Sequence, residues 1–198
     1  MSNATNTEPR SLVDPALVQR VLTAGLERGA DFAEVFVEEK RSSSALLDDG
    51  RVEELTSGRD RGAGIRVVVG ESTGFAHTSD LSEQSLLAAA RTAAAAARGT
   101  GAGTSAVGLQ QVDAPHPNPV QIQPGDVSKA RKVELLVTAD EVARSTGAAI
   151  SQVSARYSDS RRRIMVANRE GVLAGDIVRV LRVLHTAQQW PPAHHEGK

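Results

Sequence analysis

The chain's 198 residues are 40% hydrophobic, enough for one ordinary domain or two small ones with a folded core. Twenty-three Lys and Arg against 24 Asp and Glu leave a formal net charge of −1, so no overall field draws the protein to nucleic acid or to an anionic membrane surface. Aromatic residues, at 3%, leave out the stacking platforms of single-strand binders, and the absence of cysteine removes disulfides, thiolate zinc sites and a cysteine nucleophile.

Residues 1–13 are polar and lack the basic-then-apolar layout of a signal peptide, so they read as a disordered terminus. No apolar run approaches membrane-spanning length, and a chain without cysteine suits a reducing, cytoplasmic setting with no membrane partner. Asp14 and Pro15 then open a helix: the carboxylate accepts from free backbone N–H groups, and proline at the first helical position gives up a donor that is not needed. Leu17, Val18, Val21, Leu22 and Leu26 share one face of it, and Gly29 offers a left-handed stop, so the spacing predicts a helix over 15–28.

Phe32, Val35, Phe36 and Val37 mark an extended segment over 31–40. Asp49-Gly50 between two further extended runs, 43–47 and 51–55, is a strong hairpin signal, because a type I′ turn needs positive φ at both central residues. Residues 64–69 and 73–79 form a second hairpin joined at Gly70-Glu71-Ser72, with Gly62, Gly64 and Gly74 placed where a bulge or a close backbone approach would suit them. On that reading, Gly64→Val disrupts folding. Asp80 or Ser82 caps a helix over 81–98, whose alanine-rich end has high propensity and little surface to bury.

Residues 99–127 are rich in glycine and proline and read as a linker between two lobes, 14–98 and 128–186, with a disordered tail at 187–198. Ser128 caps a third helix over 129–146, and three strands follow at 148–158, 161–171 and 171–187. The fold class is α+β, mostly antiparallel β-hairpins packed with helices.

Chemistry-bearing motifs are sparse. Gly62 and Gly64 make a G-x-G, but they lead into more strand rather than into a helix, so no dinucleotide fingerprint or phosphate loop results. The five histidines, His77, His116, His185, His194 and His195, show no ligand spacing for zinc, and no serine elbow is present. Neither a catalytic residue nor a metal ligand emerges. The acidic pairs Glu38-Glu39, Asp48-Asp49 and Glu53-Glu54 read as a solvated sheet face, and Arg161-Arg162-Arg163 as a charged turn before a strand.

Three stretches, GADFAEVFVEEK, LLDDGRVEEL and RGAGIRVVVGESTGFAHTSD, with the alanine-rich helix after them, resemble the N-terminal domain of the TldD/PmbA family of zinc metallopeptidases. The ordered set Gly62, Gly64, Arg66, Gly70, Gly74, Phe75 and Ala76 carries the likeness, and KARKVELLVTADEVAR with QVSARYSDSRRRIMVANREGVLAGD resembles the family's middle segment. The resemblance covers about Pro15 to Asp176 and implies a cytoplasmic dimer, of one subunit type or of two related ones, that cleaves short or unfolded peptides. It implies zinc held by an H-E-x-x-x-H motif of the C-terminal domain, a motif the chain stops before; no residue here matches the ligands, so the chain alone is expected to be inactive and without a cofactor. By the same resemblance, Gly62, Gly64, Arg66, Gly70, Gly74 and Phe75 are candidates to face substrate or partner, through an edge strand that accepts an extended peptide. Two other readings stay open: a non-enzymatic module pairing with a full-length relative, and a non-functional remnant.

Overall fold

The structure is a computed structural model that describes residues 11–98, 108–112, 120–146 and 150–189. The stretches read as a disordered start and tail lie, over 1–10 and 190–198, outside the described residues, as do 99–107 and 113–119 of the linker and His116, His194 and His195. Val13, within the stretch read as unstructured, is buried.

Among the described residues, three α-helices, α1 (Pro15–Leu26), α2 (Glu83–Ala96) and α3 (Lys129–Ser145), accompany six strands: β1 (Phe32–Asp48), β2 (Arg51–Val69), β3 (Ser72–Thr78), β4 (Gln110–Val112), β5 (Ile150–Asn168) and β6 (Val172–Gln189). The strands form one sheet in the order β3-β2-β1-β5-β6-β4, with β2 and β3 antiparallel and the short β4 parallel to β6. The fold is α+β, as the pattern of hairpins and helices predicts. Among the described residues no helix is long and apolar enough to cross a membrane.

The helix starts follow their capping chemistry. Asp14 accepts from the Ala16 N–H, Ser82 from that of Ser85, and Ser128 from that of Arg131. α1 ends at Leu26, two residues before the predicted stop, and Gly29 takes up the left-handed φ of 75° as the chain turns toward β1.

Strand continuity departs from the sequence reading. The segments predicted at 31–40 and 43–47 are one strand, those at 51–55 and 64–69 are another, and β5 runs through the arginine triplet. Ser42 to Ser44 and Thr56 to Asp60 interrupt the apolar alternation but hold no proline, so nothing removes a ladder donor. A paired neighbouring strand, such as β1 beside β2, can sustain an extended backbone where the side chains alone do not argue for one. The Asp49-Gly50 turn is as predicted, with φ of 46° and 78°.

The chain divides into two compact units that alternate along the sequence: residues 1–40, 60–118 and 162–178 in one, and 41–59, 119–161 and 179–198 in the other. In the first unit, Val18, Val21, Leu22 and Leu26 of α1 and Leu86, Ala90 and Ala93 of α2 bury against Ala33, Val35 and Val37 of β1, Ala63, Ile65 and Val67 of β2, and Met165 and Ala167 of β5. Each large side chain so buried contributes roughly 1.5–3 kcal/mol. The second unit has a smaller core of Ala45, Leu47, Leu136, Ala155 and Tyr157 beneath α3.

Candidate functional site: the open sheet face beside β3

In the first unit, period-two alternation puts Ala33, Val35, Val37, Ala63, Ile65, Val67, Gly74 and Ala76 on the helix-covered face. The alternate residues face the other way. They include Phe32, Glu34, Phe36 and Glu38 of β1, Gly64, Arg66 and Val68 of β2, and Phe75 and His77 of β3. The chain has three phenylalanines, and all three stand on this less covered face.

The register of β2 against β3 pairs Arg66 with Phe75 and Gly64 with His77. Arg66 Nε donates to Glu34 Oε1 at 2.7 Å, and its guanidinium lies 5.4 Å from the Phe32 ring centre. The hydrogen bond to Glu34 and that residue's charge both push the Arg66 pKa up, so it stays cationic. Phe75 is 60% exposed, and its ring stacks with that of His77, centres 6.3 Å apart. On β3 the side opposite β2 pairs with no strand among the described residues. The result is a sheet edge bearing an exposed aromatic ring next to a fixed ion pair, with backbone groups alongside that no described strand pairs. Such an edge can add an extended chain through main-chain hydrogen bonds and hold apolar side chains against the rings.

The six predicted site residues separate by task. Gly64, Arg66 and Phe75 stand together on the open face. A methyl group at Gly64 would lie 3.0 Å from Phe75 Cζ, so the missing side chain seats the ring. Gly70, at φ 54°, makes the two-residue turn between β2 and β3, and its N–H donates to Asp31 Oδ2 at 2.6 Å. Gly74 points the other way, under α2: a methyl group there would come within 2.5 Å of Ala97 N and closer still to the Ala93 carbonyl oxygen. Gly62 lies beside the Thr78 carbonyl, 3.0 Å from an added methyl group. Of the close approaches expected at Gly62, Gly64 and Gly74, main-chain atoms make those at Gly62 and, most tightly, at Gly74, whereas a movable ring makes the one at Gly64.

The sequence reading did not place Phe32, Glu34, Phe36 or His77 at this site, taking the two phenylalanines as strand markers and weighing His77 only as a zinc ligand. Their signal was the alternation Phe32-Glu34-Phe36-Glu38, half hidden because the opposite face of the strand is apolar as well. The charged residues need correcting too. Glu38, read as solvated, accepts from Arg162 Nε at 2.7 Å, and Glu39 is buried. The arginine triplet lies inside β5 rather than in a turn, since a central strand with carboxylates across from it can pair such charges.

The second unit holds a buried ionisable cluster. Lys132 Nζ donates to Asp159 Oδ2 at 2.7 Å and to Ser43 Oγ at 2.8 Å, Ser43 Oγ donates to the same carboxylate at 2.5 Å, and Lys132 lies 5.3 Å from the Tyr157 ring centre. Burial would raise the Asp159 pKa, but hydrogen bonds from Lys132, Ser43 and Tyr157 and the lysine's charge outweigh it and hold the carboxyl below the usual range. Burial, with the Asp159 bond and charge, pushes the Tyr157 phenol up to about 12. Both the Lys132 and the Asp159 side chains are 6% exposed, so this network fastens α3 to the sheet and offers no access to a substrate.

Among the described residues no three His, Cys, Asp or Glu side chains converge to hold a metal ion. His77 stacks on Phe75, and His185 is exposed on β6.

Comparison with known proteins decides the family. Residues 33–97 match the PmbA/TldA metallopeptidase domain 1 model and residues 122–184 the central domain model of the same family, together well over half of the chain. The chain belongs to the PmbA/TldD metallopeptidase family. A metalloprotease TldD homolog of Haemophilus influenzae is 29% identical over 157 residues, which are 79% of this chain and 33% of that protein. A metalloprotease of Methanothermobacter thermautotrophicus is 33% identical over 154 residues, 75% of this chain and 32% of its own length. The chain thus spans about a third of the curated relatives it matches. Among solved structures, a Bacteroides thetaiotaomicron protein described as a proposed modulator of DNA gyrase superposes with a TM-score of 0.70 at 15% identity, covering 90% of this chain and 41% of that one. TldE of Thermococcus kodakarensis superposes with a TM-score of 0.58 at 17% identity, covering 87% and 43%. Apart from Phe32, the open face and β3 edge of this PmbA/TldD chain lie within the matched first domain, and the Lys132 cluster draws Lys132, Tyr157 and Asp159 from the matched central domain and Ser43 from the first.

Proposed function

We propose that this chain serves as the N-terminal part of a PmbA/TldD-type metallopeptidase, in the cytoplasm, helping to enclose a cavity for short or unfolded peptides and to form a homodimer or a dimer with a related subunit. The observation that carries the reading is the open edge of β3, with Phe75 exposed beside the Arg66–Glu34 pair. Backbone pairing along such an edge accepts many sequences, and the aromatic face favours apolar side chains. Arg66, tied to Glu34 and set over Phe32, is positioned to accept a carboxylate of the bound chain without reorganising.

The relatives' name implies a metal, and the described residues do not fit one. Cleavage therefore depends on a metal site supplied by residues beyond the third of the relatives that this chain matches. Its own residues bind and orient.

The test is zinc-supplemented cleavage of an unstructured peptide by the chain alone, by a full-length relative such as the Haemophilus influenzae homolog, and by a mixture of the two. We expect no cleavage by the chain alone and altered cleavage in the mixture, with the alteration lost in Phe75→Ser and Arg66→Ala. Zinc-dependent cleavage by the chain alone would overturn the reading. A mixture unaffected by the chain removes the proposed pairing.

That no ligand set converges among the described residues also favours a second reading, a non-enzymatic module that regulates a full-length relative. An alteration of cleavage that survives Phe75→Ser and Arg66→Ala points to that module rather than to a substrate-binding surface.

A further inference from the structure

In the second unit, the end of β6 from Arg179 onward has an unusual surface. Val180 (41%), Leu181 (56%), Val183 (39%) and Leu184 (63%) are all exposed. Alternation sends Val180 and Leu184 to one face and Leu181 and Val183 to the other, so neither face of the strand is covered. β4 pairs with β6 only at Val172 to Ala174, and among the described residues no strand occupies the outer edge of β6 beyond that point. A long apolar edge is commonly blunted by proline, by a bulge or by charges of both signs. Between Ile177 and Gln189 there is no proline and no carboxylate; the charge comes from Arg179 and Arg182, with His185 nearby. Arg179 Nε donates to Gln123 Oε1 at 2.6 Å, whereas the side chains of Arg182 and His185 make no hydrogen bond or ion pair with any described residue.

We propose that this edge, Val180 to Gln188, is a docking strand for an extended segment that alternates aliphatic residues with carboxylates. Main-chain hydrogen bonds to this edge supply affinity of low sequence dependence, and aliphatic side chains cover both faces of β6. Cross-strand pairs of opposite charge stabilise and like pairs oppose, so Arg182 selects carboxylates. A second copy of the same strand is a poor occupant, because two β6 edges would gather four arginines and two histidines with no carboxylate among them. The site is distinct from the β3 edge, and its test is independent of peptidase activity.

The experiment uses the full chain and a fluorescein-labelled nonapeptide alternating valine and glutamate, with a valine–lysine peptide of equal length as control, read by fluorescence anisotropy at low and high salt. The glutamate peptide is expected to bind about tenfold more tightly than the lysine peptide, with the preference shrinking as salt screens it. Arg182→Glu, an exposed change whose folding is checked by circular dichroism, is expected to narrow or invert the preference. Failure of both peptides to bind, equal binding, or a preference that Arg182→Glu leaves intact overturns the proposal. So does sedimentation of the chain alone as a dimer that Val183→Lys dissociates, which would make a second copy the occupant.

Discussion

Gly74→Ala is the substitution that best tests how the sheet and α2 fit together. The added methyl group would lie 2.5 Å from Ala97 N and nearer still to the Ala93 carbonyl oxygen, and both are main-chain atoms held by the helix's own hydrogen bonds. Ordinary contact needs about 3.4 Å or more, so α2 must retreat by roughly 1 Å from β3, and a gap of that size forfeits a quarter to a half of each dispersion contact along the interface. The contacts at risk are those of Leu86, Ala89, Ala90, Ala93 and Ala94, all buried. Overpacking of this kind costs about 1–3 kcal/mol, and a rigid helix backbone puts Gly74→Ala near 3 kcal/mol. In a chain of this length that lowers the melting temperature by about 6–12 °C. Gly64→Ala is the control, since its methyl group meets the far end of Phe75, an exposed ring that can swing aside. Its effect should stay within about 1 kcal/mol, partly offset by the reduced freedom of the unfolded chain. Urea and thermal unfolding of the two variants beside the wild type settle the matter, and equal stabilities, or a larger loss at Gly64, would refute the reasoning.

Further outcomes follow from the buried cluster under α3. Lys132→Ala strands the Asp159 carboxylate and should cost about 3–5 kcal/mol by urea unfolding, whereas Lys132→Met with Asp159→Leu should cost far less, because no buried charge remains; equal losses would count against the ion pair as the cause. Because the folded Asp159 pKa lies below its unfolded value, its stabilisation is present above the unfolded value near 3.9 and is lost as pH falls through the folded one. Unfolding of wild type and Asp159→Asn between pH 6 and 2 should therefore converge at the acid end, and a constant gap would contradict this. Tyr157 is the chain's single tyrosine, so absorbance near 295 nm should report one phenol titrating at about 12. Its folded pKa is raised, so this contribution is full below about 10 and declines above it. A midpoint near 10 in the folded protein would show the ring to be solvated.

Much of the fold was legible because local chemistry and tertiary structure agree. Asp14, Ser82 and Ser128 cap the helices they precede, and Asp49-Gly50 and Gly70 take the positive φ their turns require. Strand length was less legible. Extension through Ser42 to Ser44 and through Thr56 to Asp60 depends on neighbouring strands, and a one-dimensional pattern does not contain neighbours. The same limit explains Glu39, which looks solvated in sequence and is buried in the sheet, and the arginine triplet, whose middle member pairs with Glu38 from a distance of 124 residues.

The candidate site was legible only as an ordered set of residues, and the structure divides that set by face. Glycine at 74 is demanded by helix packing and glycine at 70 by a turn, so their presence in the shared pattern reports on the fold. Gly64, Arg66 and Phe75 meet no comparable structural demand: Arg66 is an exposed strand residue, and Phe75 spends an aromatic ring on solvent. A chain with only three phenylalanines that sets all of them away from its helix-packed core must stabilise that core with aliphatic residues, as the Val, Leu, Ile and Ala interior does. The aromatic surface left on the open face is therefore free for the peptide contact proposed above. The β6 edge differs in kind, being aliphatic and cationic, so the two surfaces call for occupants of different chemistry. Salt separates them: binding at the β6 edge should weaken steeply with ionic strength, while apolar contact with the β3 face should persist.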